Sequence, residues 1–280
     1  MASQLLMQRR AATLLRHVVL IGVTVIVGLP FAWMLSTSLK ALPDVFIFPP
    51  IWIPSPLHLE NYRTAWEAAP FGRYLFNSLV TAIGIVALQA LTATTAAYAF
   101  AHIRFPFREP IFLLFLAVLM IPPQMTLVPN FLTLTGLRWI DTYAALIVPF
   151  GASAFGIFLI RQAFLAVPVD LVEAARIDGA SHLQILVRIM LPLAQATLFT
   201  FFLLTFTWRW NDYFWPLIVI NSKDMRTLPV GLVVLRSTEG NTQWHLIMAA
   251  TLLVIAPVVV LFVMTQRQFV QGIARTGIRG

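Results

Sequence analysis

The chain has 280 residues, of which 59% are hydrophobic and 11% charged, and its mean hydropathy is +0.84. A water-soluble chain of this size carries roughly a quarter of its residues charged, so the 30 Lys, Arg, Asp and Glu present among 280 exclude a soluble globular domain and imply lipid. The lack of cysteine excludes disulfide frameworks, thiolate nucleophiles and Cys-based metal sites, and the net charge of +8 is spread between apolar runs, which fits basic loops facing lipid headgroups rather than a nucleic-acid surface.

Crossing about 30 Å of hydrocarbon takes about 20 apolar residues in helix. Six stretches free of Asp, Glu, Lys, Arg and His meet this: Val18 to Leu39, Tyr74 to Ala101, Ile111 to Leu137, Thr142 to Ile160, Ile189 to Trp208 and Leu246 to Gln266. The fold expected is an all-α polytopic membrane protein, a single transmembrane domain over 1–280 with its core at about 71–267. The first span is too long for a removed signal peptide and reads as an anchor; with the Pro- and Trp-rich loop after it, it forms an N-terminal portion over 17–70. That loop holds Pro49, Pro50, Trp52, Pro54 and Pro56, which favour extended backbone at an interface.

Arg9, Arg10 and Arg16 precede the first span, and the loops on their side carry eleven Lys and Arg against seven on the other. The positive-inside rule therefore predicts that both termini are cytoplasmic. The small residues of the second span, Gly84 with Ala87, Ala90, Ala93, Ala97 and Ala101, predict a close-packing face. Pro122, Pro123 and Pro129 predict that the third span is broken or kinked, either lining a pathway or merely bent. The fifth span is expected to continue past Arg209 toward Ile220. The nine residues Thr227 to Leu235 are too few to cross and read as interfacial or re-entrant.

Between spans four and five the sequence predicts two short helices around a glycine. Asp170 and Glu173 have the spacing of a reciprocal N-cap, Gly179 can turn the chain through a left-handed conformation, and a second amphipathic run reaches Pro192. An ordinary surface loop fits the same physics.

Glu173-Ala174-Ala175, then Asp178-Gly179-Ala180, then Ile189-x-Leu191-Pro192 closely resembles the EAA loop of ATP-binding-cassette importer permeases. Phe48-Pro49-Pro50-x-Trp52, Glu60-Asn61-Tyr62, Asn77-Ser78, Trp210-Asn211-Asp212 with Trp215-Pro216, and the tail Phe269-Val270-x-Gly272 resemble the second permease subunit of the maltose-type and glycerol-3-phosphate-type group. Two positions depart from the group pattern, Ala196 and the ending Gly277-Ile-Arg279-Gly280. The resemblance implies a type I importer transmembrane domain in the cell (inner) membrane, forming half of a translocation pore for a sugar or related polyol. It implies as partners a second permease, two ATPase subunits that hold ATP and Mg, and an extracytoplasmic solute-binding protein. It also implies a cytoplasmic coupling helix in which Glu173, Ala174, Ala175, Asp178, Gly179 and Ala180 dock on the ATPase, and a tail in which Gly272, Gly277 and Arg279 reach the ATPase dimer.

The residues themselves predict a non-enzyme that needs no cofactor of its own. No phosphate-binding loop is present; the near match Gly272 to Gly277 is followed by Ile278 and Arg279. His17, His58, His102, His182 and His245 have no metal-ligand spacing. Candidates for the pathway or an interface are Asn77, Pro122, Asn130, Trp210, Asn211 and Asp212; an aromatic belt explains the last three without any ligand. A stand-alone secondary carrier or channel is the competing function class. It has no use for the Glu173 to Pro192 pattern.

Overall fold

The computed structural model describes residues 2–236 and 242–277, with side chains from Ala12 to Gln266 apart from residue 234. The described residues form two compact units. One comprises the described residues within 1–69 and 232–256, the other those within 70–231 and 257–277.

In the first unit α1 (Ala2–Ser38) runs through the first predicted span, with apolar side chains exposed along Leu14 to Leu35 as lipid requires. The chain then folds back on the end of α1. The Asn61 amide donates to the carbonyls of Ser38 and Lys40, and the Ser38 and Tyr62 hydroxyls share a hydrogen bond. Asn61 belongs to α2 (Glu60–Glu67), whose Arg63–Glu67 pair faces out.

The second unit is built on α3 (Phe71–His102), the second span. The third span is two helices, α4 (Arg108–Val118) and α5 (Pro123–Gly136), meeting at 95°. Pro122 caps α5 and Pro123 is its first residue, so the predicted break lies where two successive residues lack an N–H. The fourth span, where the sequence carries no comparable proline pair, is also broken. Here α6 (Tyr143–Ile147), extended by a 3-10 turn to Phe150, meets α7 (Ala154–Leu165) at 46°. The Ser153 hydroxyl accepts from Gly156 N–H and so restarts the helix.

Between spans four and five lie α8 (Val169–Ile177) and α9 (His182–Ile185), the latter continuing through a π-turn, Leu186–Met190, into α10 (Leu191–Leu193). The π-turn has a local cause, since Pro192 has no N–H to give and the ladder widens so that Leu191 N–H reaches Leu186 O. At Ala194 the chain bends 82° into α11 (Gln195–Trp210). Contrary to expectation the fifth span does not run on toward Ile220: α11 ends at Trp210, and a separate helix, α12 (Phe214–Val219), starts where Asp212 Oδ1 accepts from Trp215 N–H. Residues 228–235 form α13 (Leu228–Gly231) and a 3-10 turn, with Leu228 and Val230 buried. The sixth span opens α14 (Trp244–Gly277). Among the described residues three helices are by themselves long and apolar enough to cross a membrane, and up to six spans result when each bent pair counts as one.

α3, α7 and α11 pack against one another. Their contact permits no side chain at Gly156 of α7, where a Cβ would stand 2.3 Å from Cζ of the buried Phe201 on α11. Gly156→Val should therefore cost about 1–3 kcal/mol by overpacking. Thermal unfolding in detergent is expected to show a lowered midpoint for Gly156→Val, partly restored by Phe201→Leu, which withdraws the ring.

Candidate functional site

The α8–α9 hairpin is held by two caps placed back to back. At the end of α8, Ala180 N–H donates to Ala175 O and Gly179 N–H to Arg176 O, the paired bonds of a Schellman turn, with Gly179 at φ +80°. The next residue, Ser181, caps α9: its hydroxyl accepts from Gln184 N–H while the Gln184 side chain accepts from Ser181 N–H. The reciprocal cap expected at Asp170 and Glu173 does not form, because Pro168 is the N-cap of α8 and places Asp170 inside the first turn. There it still complements the helix dipole. The capping box lies instead at Ser181-x-x-Gln184, a spacing that the sequence itself displays.

The hairpin rests on the core of the second unit. Val172 and Ile185 are buried with Ile160, Phe164 and Met190, and Ala175 and Ala180 pack against the same cluster. Of the six residues expected to meet a partner, Ala175 and Ala180 thus face their own chain, because the Schellman bond brings them together beneath the turn. Glu173, Ala174, Asp178 and Gly179 are exposed, and the strongly exposed Ile177 shares their side of α8. Asp178, Gly179, Ala180, Gln184, Arg188 and Ile189 line an open concavity beside them.

Polar contacts tie the hairpin to α3: Arg176 Nη2 donates to His102 O at 3.2 Å, and Tyr98 Oη shares a 2.9 Å hydrogen bond with His182 Nδ1. Arg176 thus has an intrachain partner although it is exposed. A further contact was not foreseen. Arg161, 9% exposed on α7, donates from Nη2 to both carboxylate oxygens of Glu109 at 2.8 and 3.0 Å and from Nε to Phe100 O, with its guanidinium over the Phe112 ring. One side chain thereby joins α3, α4 and α7 below the hairpin. Opposite charges at the ends of neighbouring spans were the available signal, and only the fold shows that they meet.

The pathway candidates have separate sets of partners. Asn77 is wholly buried: its Nδ2 donates to Asp224 O and Arg226 O, and its Oδ1 accepts from the Tyr143 hydroxyl. Trp210 is buried and stacked on Phe206. Asp212 pairs with Arg209, whose guanidinium lies 3.7 Å from the Phe150 ring centroid. Exposed Asn211 donates to Thr207 O. Pro122 is exposed at the α4–α5 corner, and Asn130 is half-buried on α5. Of the tail, Gly272 and Gly277 fall on the backbone of α14, while Arg279 lies outside the described residues. Among the described residues no group of three His, Asp or Glu could hold a metal ion.

The comparisons with known proteins agree with this architecture. Residues 89–275 match the family described as binding-protein-dependent transport system inner membrane component. The chain belongs to that family. It is 37% identical over 275 residues to the sn-glycerol-3-phosphate transport system permease protein UgpE of Salmonella typhimurium (strain LT2), covering 95% of this chain and 97% of that one. The UgpE of Escherichia coli O6:K15:H31 (strain 536) is 36% identical over 269 residues, covering 93% and 95%. In fold it is similar to a chain from the crystal structure of a bacterial ABC transporter involved in the import of the acidic polysaccharide alginate, with a TM-score of 0.82, 24% identity, and 93% and 97% coverage. The protein is an inner-membrane, multi-pass permease subunit of an ABC importer, as its EAA loop implied, and not a stand-alone carrier.

Near α12 this permease carries a carboxylate clasp. Asp141 Oδ1 accepts from Asn221 N–H and from both the N–H and hydroxyl of Ser222. Burial opposes ionisation of Asp141, but these hydrogen bonds outweigh it and hold its pKa below the ordinary carboxylate value. A depressed folded pKa gives stability that is complete above the unfolded value, about 3.9, and is lost as pH falls through the folded one. Asp141→Asn should therefore lower stability at neutral pH and flatten its acid-side decline, as measured by unfolding in detergent between pH 3 and 7.

Proposed function

We propose that the α8–α9 hairpin is the cytoplasmic coupling element of this permease, docking on a separate ATPase subunit and passing its nucleotide-driven closure to the spans. The observation that carries this reading is the division of the EAA residues into an outward set, Glu173, Ala174, Asp178 and Gly179, and an inward pair rooted in the core. An exposed carboxylate beside small residues and Ile177 offers one charge-assisted contact within a close-fitting apolar surface. Both termini lie on the same cytoplasmic side.

The assembled importer contains a second permease, two ATPases that bind ATP and Mg, and an extracytoplasmic solute-binding protein. This chain hydrolyses nothing. Its cargo is a sugar or related polyol, with glycerol-phosphate included by the names of its UgpE relatives. Gly272, Gly277 and Arg279 contribute a contact with the ATPase dimer.

A Cβ at Gly179 would meet no neighbour, so a substitution there acts through the left-handed backbone alone, at roughly 1 kcal/mol or more. Gly179→Val is expected to insert normally yet lose ATPase co-purification and uptake, with Gly179→Asn intermediate, since Asn tolerates φ > 0. Glu173→Ala should weaken both properties less. Full association and uptake in Gly179→Val would remove the docking role. Sidedness is testable separately: in intact cells a cysteine at Ser181 should resist a membrane-impermeant thiol reagent while one at Glu67 reacts. The reverse pattern would overturn the topology.

A further inference from the structure

Between the end of the first span and the charged face of α2, the thirteen residues Val45 to Leu57 contain no Asp, Glu, Lys or Arg. Val45 and Pro54 are buried and Ile51 half-buried, but most of the other apolar side chains face outward. Phe48 is 92% exposed and Ile53 86%, and Phe46, Trp52 and Leu57 are also exposed. Four of the thirteen are proline, so four backbone N–H groups that would need water are missing.

The depth of this loop is set by its contacts with α1. Ser36 Oγ donates to Ile51 O at 3.4 Å, and the Trp33 and Trp52 rings meet edge to face at 5.2 Å. At 1.5 Å per residue, Trp33 lies about 7–8 Å before the end of α1, so the middle of the loop returns to the level of the last turns of the span. It emerges again where His58 N–H donates to Leu39 O, and Glu60, Arg63 and Glu67 follow on an exposed helix. The apolar stretch is thus bounded by charge and sits beside a helix whose own surface is apolar and exposed. Lys40, the basic residue at its start, is withdrawn from the surface, with Nζ 3.9 Å from the Trp33 ring centroid.

We infer that the Val45–Leu57 loop is a lipid-binding wedge, inserting Phe48, Trp52 and Ile53 into the boundary between headgroups and acyl chains beside the end of α1. Neutrality, missing backbone donors and tryptophans at the level of the last turns are what that boundary selects. A protein partner reached through water would be met by some charge, and this stretch carries none.

Because the chain has no cysteine, single cysteines place a probe directly. Phe48→Cys, Ile53→Cys and, as a solvent control, Glu67→Cys would be nitroxide-labelled in the full chain co-expressed with its transport partners. The samples would be reconstituted in phosphatidylethanolamine–phosphatidylglycerol vesicles. Spin relaxation by oxygen, which concentrates in lipid, is compared with relaxation by a water-soluble nickel chelate. At 48 and 53 oxygen should be favoured several-fold, with the ratio reversed at 67. Nickel access at 48 and 53 equal to that at 67 would place the loop in water, and exclusion of both reagents would mean that protein covers it; either result overturns the inference. The labelled side chains are exposed, and unchanged thermal unfolding of each variant confirms that the fold is intact.

Discussion

In hydrocarbon a backbone N–H or C=O has no water to turn to, so every interruption of a helix must find a partner within the protein. The second unit interrupts its spans at several places, and α3 answers the interruption between α6 and α7. Its Gln89 donates to Phe150 O and its Thr92 to Gly151 O, at the break between α6 and α7. One end of the same helix meets the 224–228 segment, with Asn77 donating to two carbonyls and Ser78 accepting from Leu228 N–H. Gln89 Oε1 also accepts from Thr205 of α11. A span that reads as a small-residue packing face therefore also carries the polar groups that allow its neighbours to bend.

The hairpin is tied to the same helix at its other end, through Tyr98 and the His102 carbonyl, and the Arg161–Glu109 pair reaches that end of α3 at the Phe100 carbonyl. The pair is asymmetric. Arg161 is nearly buried whereas Glu109 is half exposed, so most of its value lies in satisfying the guanidinium and the Phe100 carbonyl rather than in attraction across a low dielectric. Charge at this level positions helix ends.

The six spans were legible because apolar length alone specifies them, and the α4–α5 break because two prolines declare it. The break before α7 was not. Its sequence, Gly151-Ala-Ser153, carries no proline, and the bend exists because α3 supplies partners from some sixty residues away. At the hairpin, the glycine turn could be read, while the choice of Pro168 over Asp170 as N-cap could not, since both are plausible helix starts. Asn77 shows the opposite failure. A lone polar residue in a span invites a functional reading, and here its donors and its carbonyl oxygen are all engaged by the chain itself.

The back-to-back caps have a mechanical consequence. From Asp178 to Gln184 the residues are taken up by one cap or the other, so no slack remains between α8 and α9. A load applied to the first helix is delivered to the second at full amplitude, as through a crank with no play in its joint. Give is found further along, in the widened ladder of Leu186–Met190 and the 82° corner at Ala194. Stiffness in the arm and compliance at the elbow concentrate bending at that corner, one residue before α11 begins.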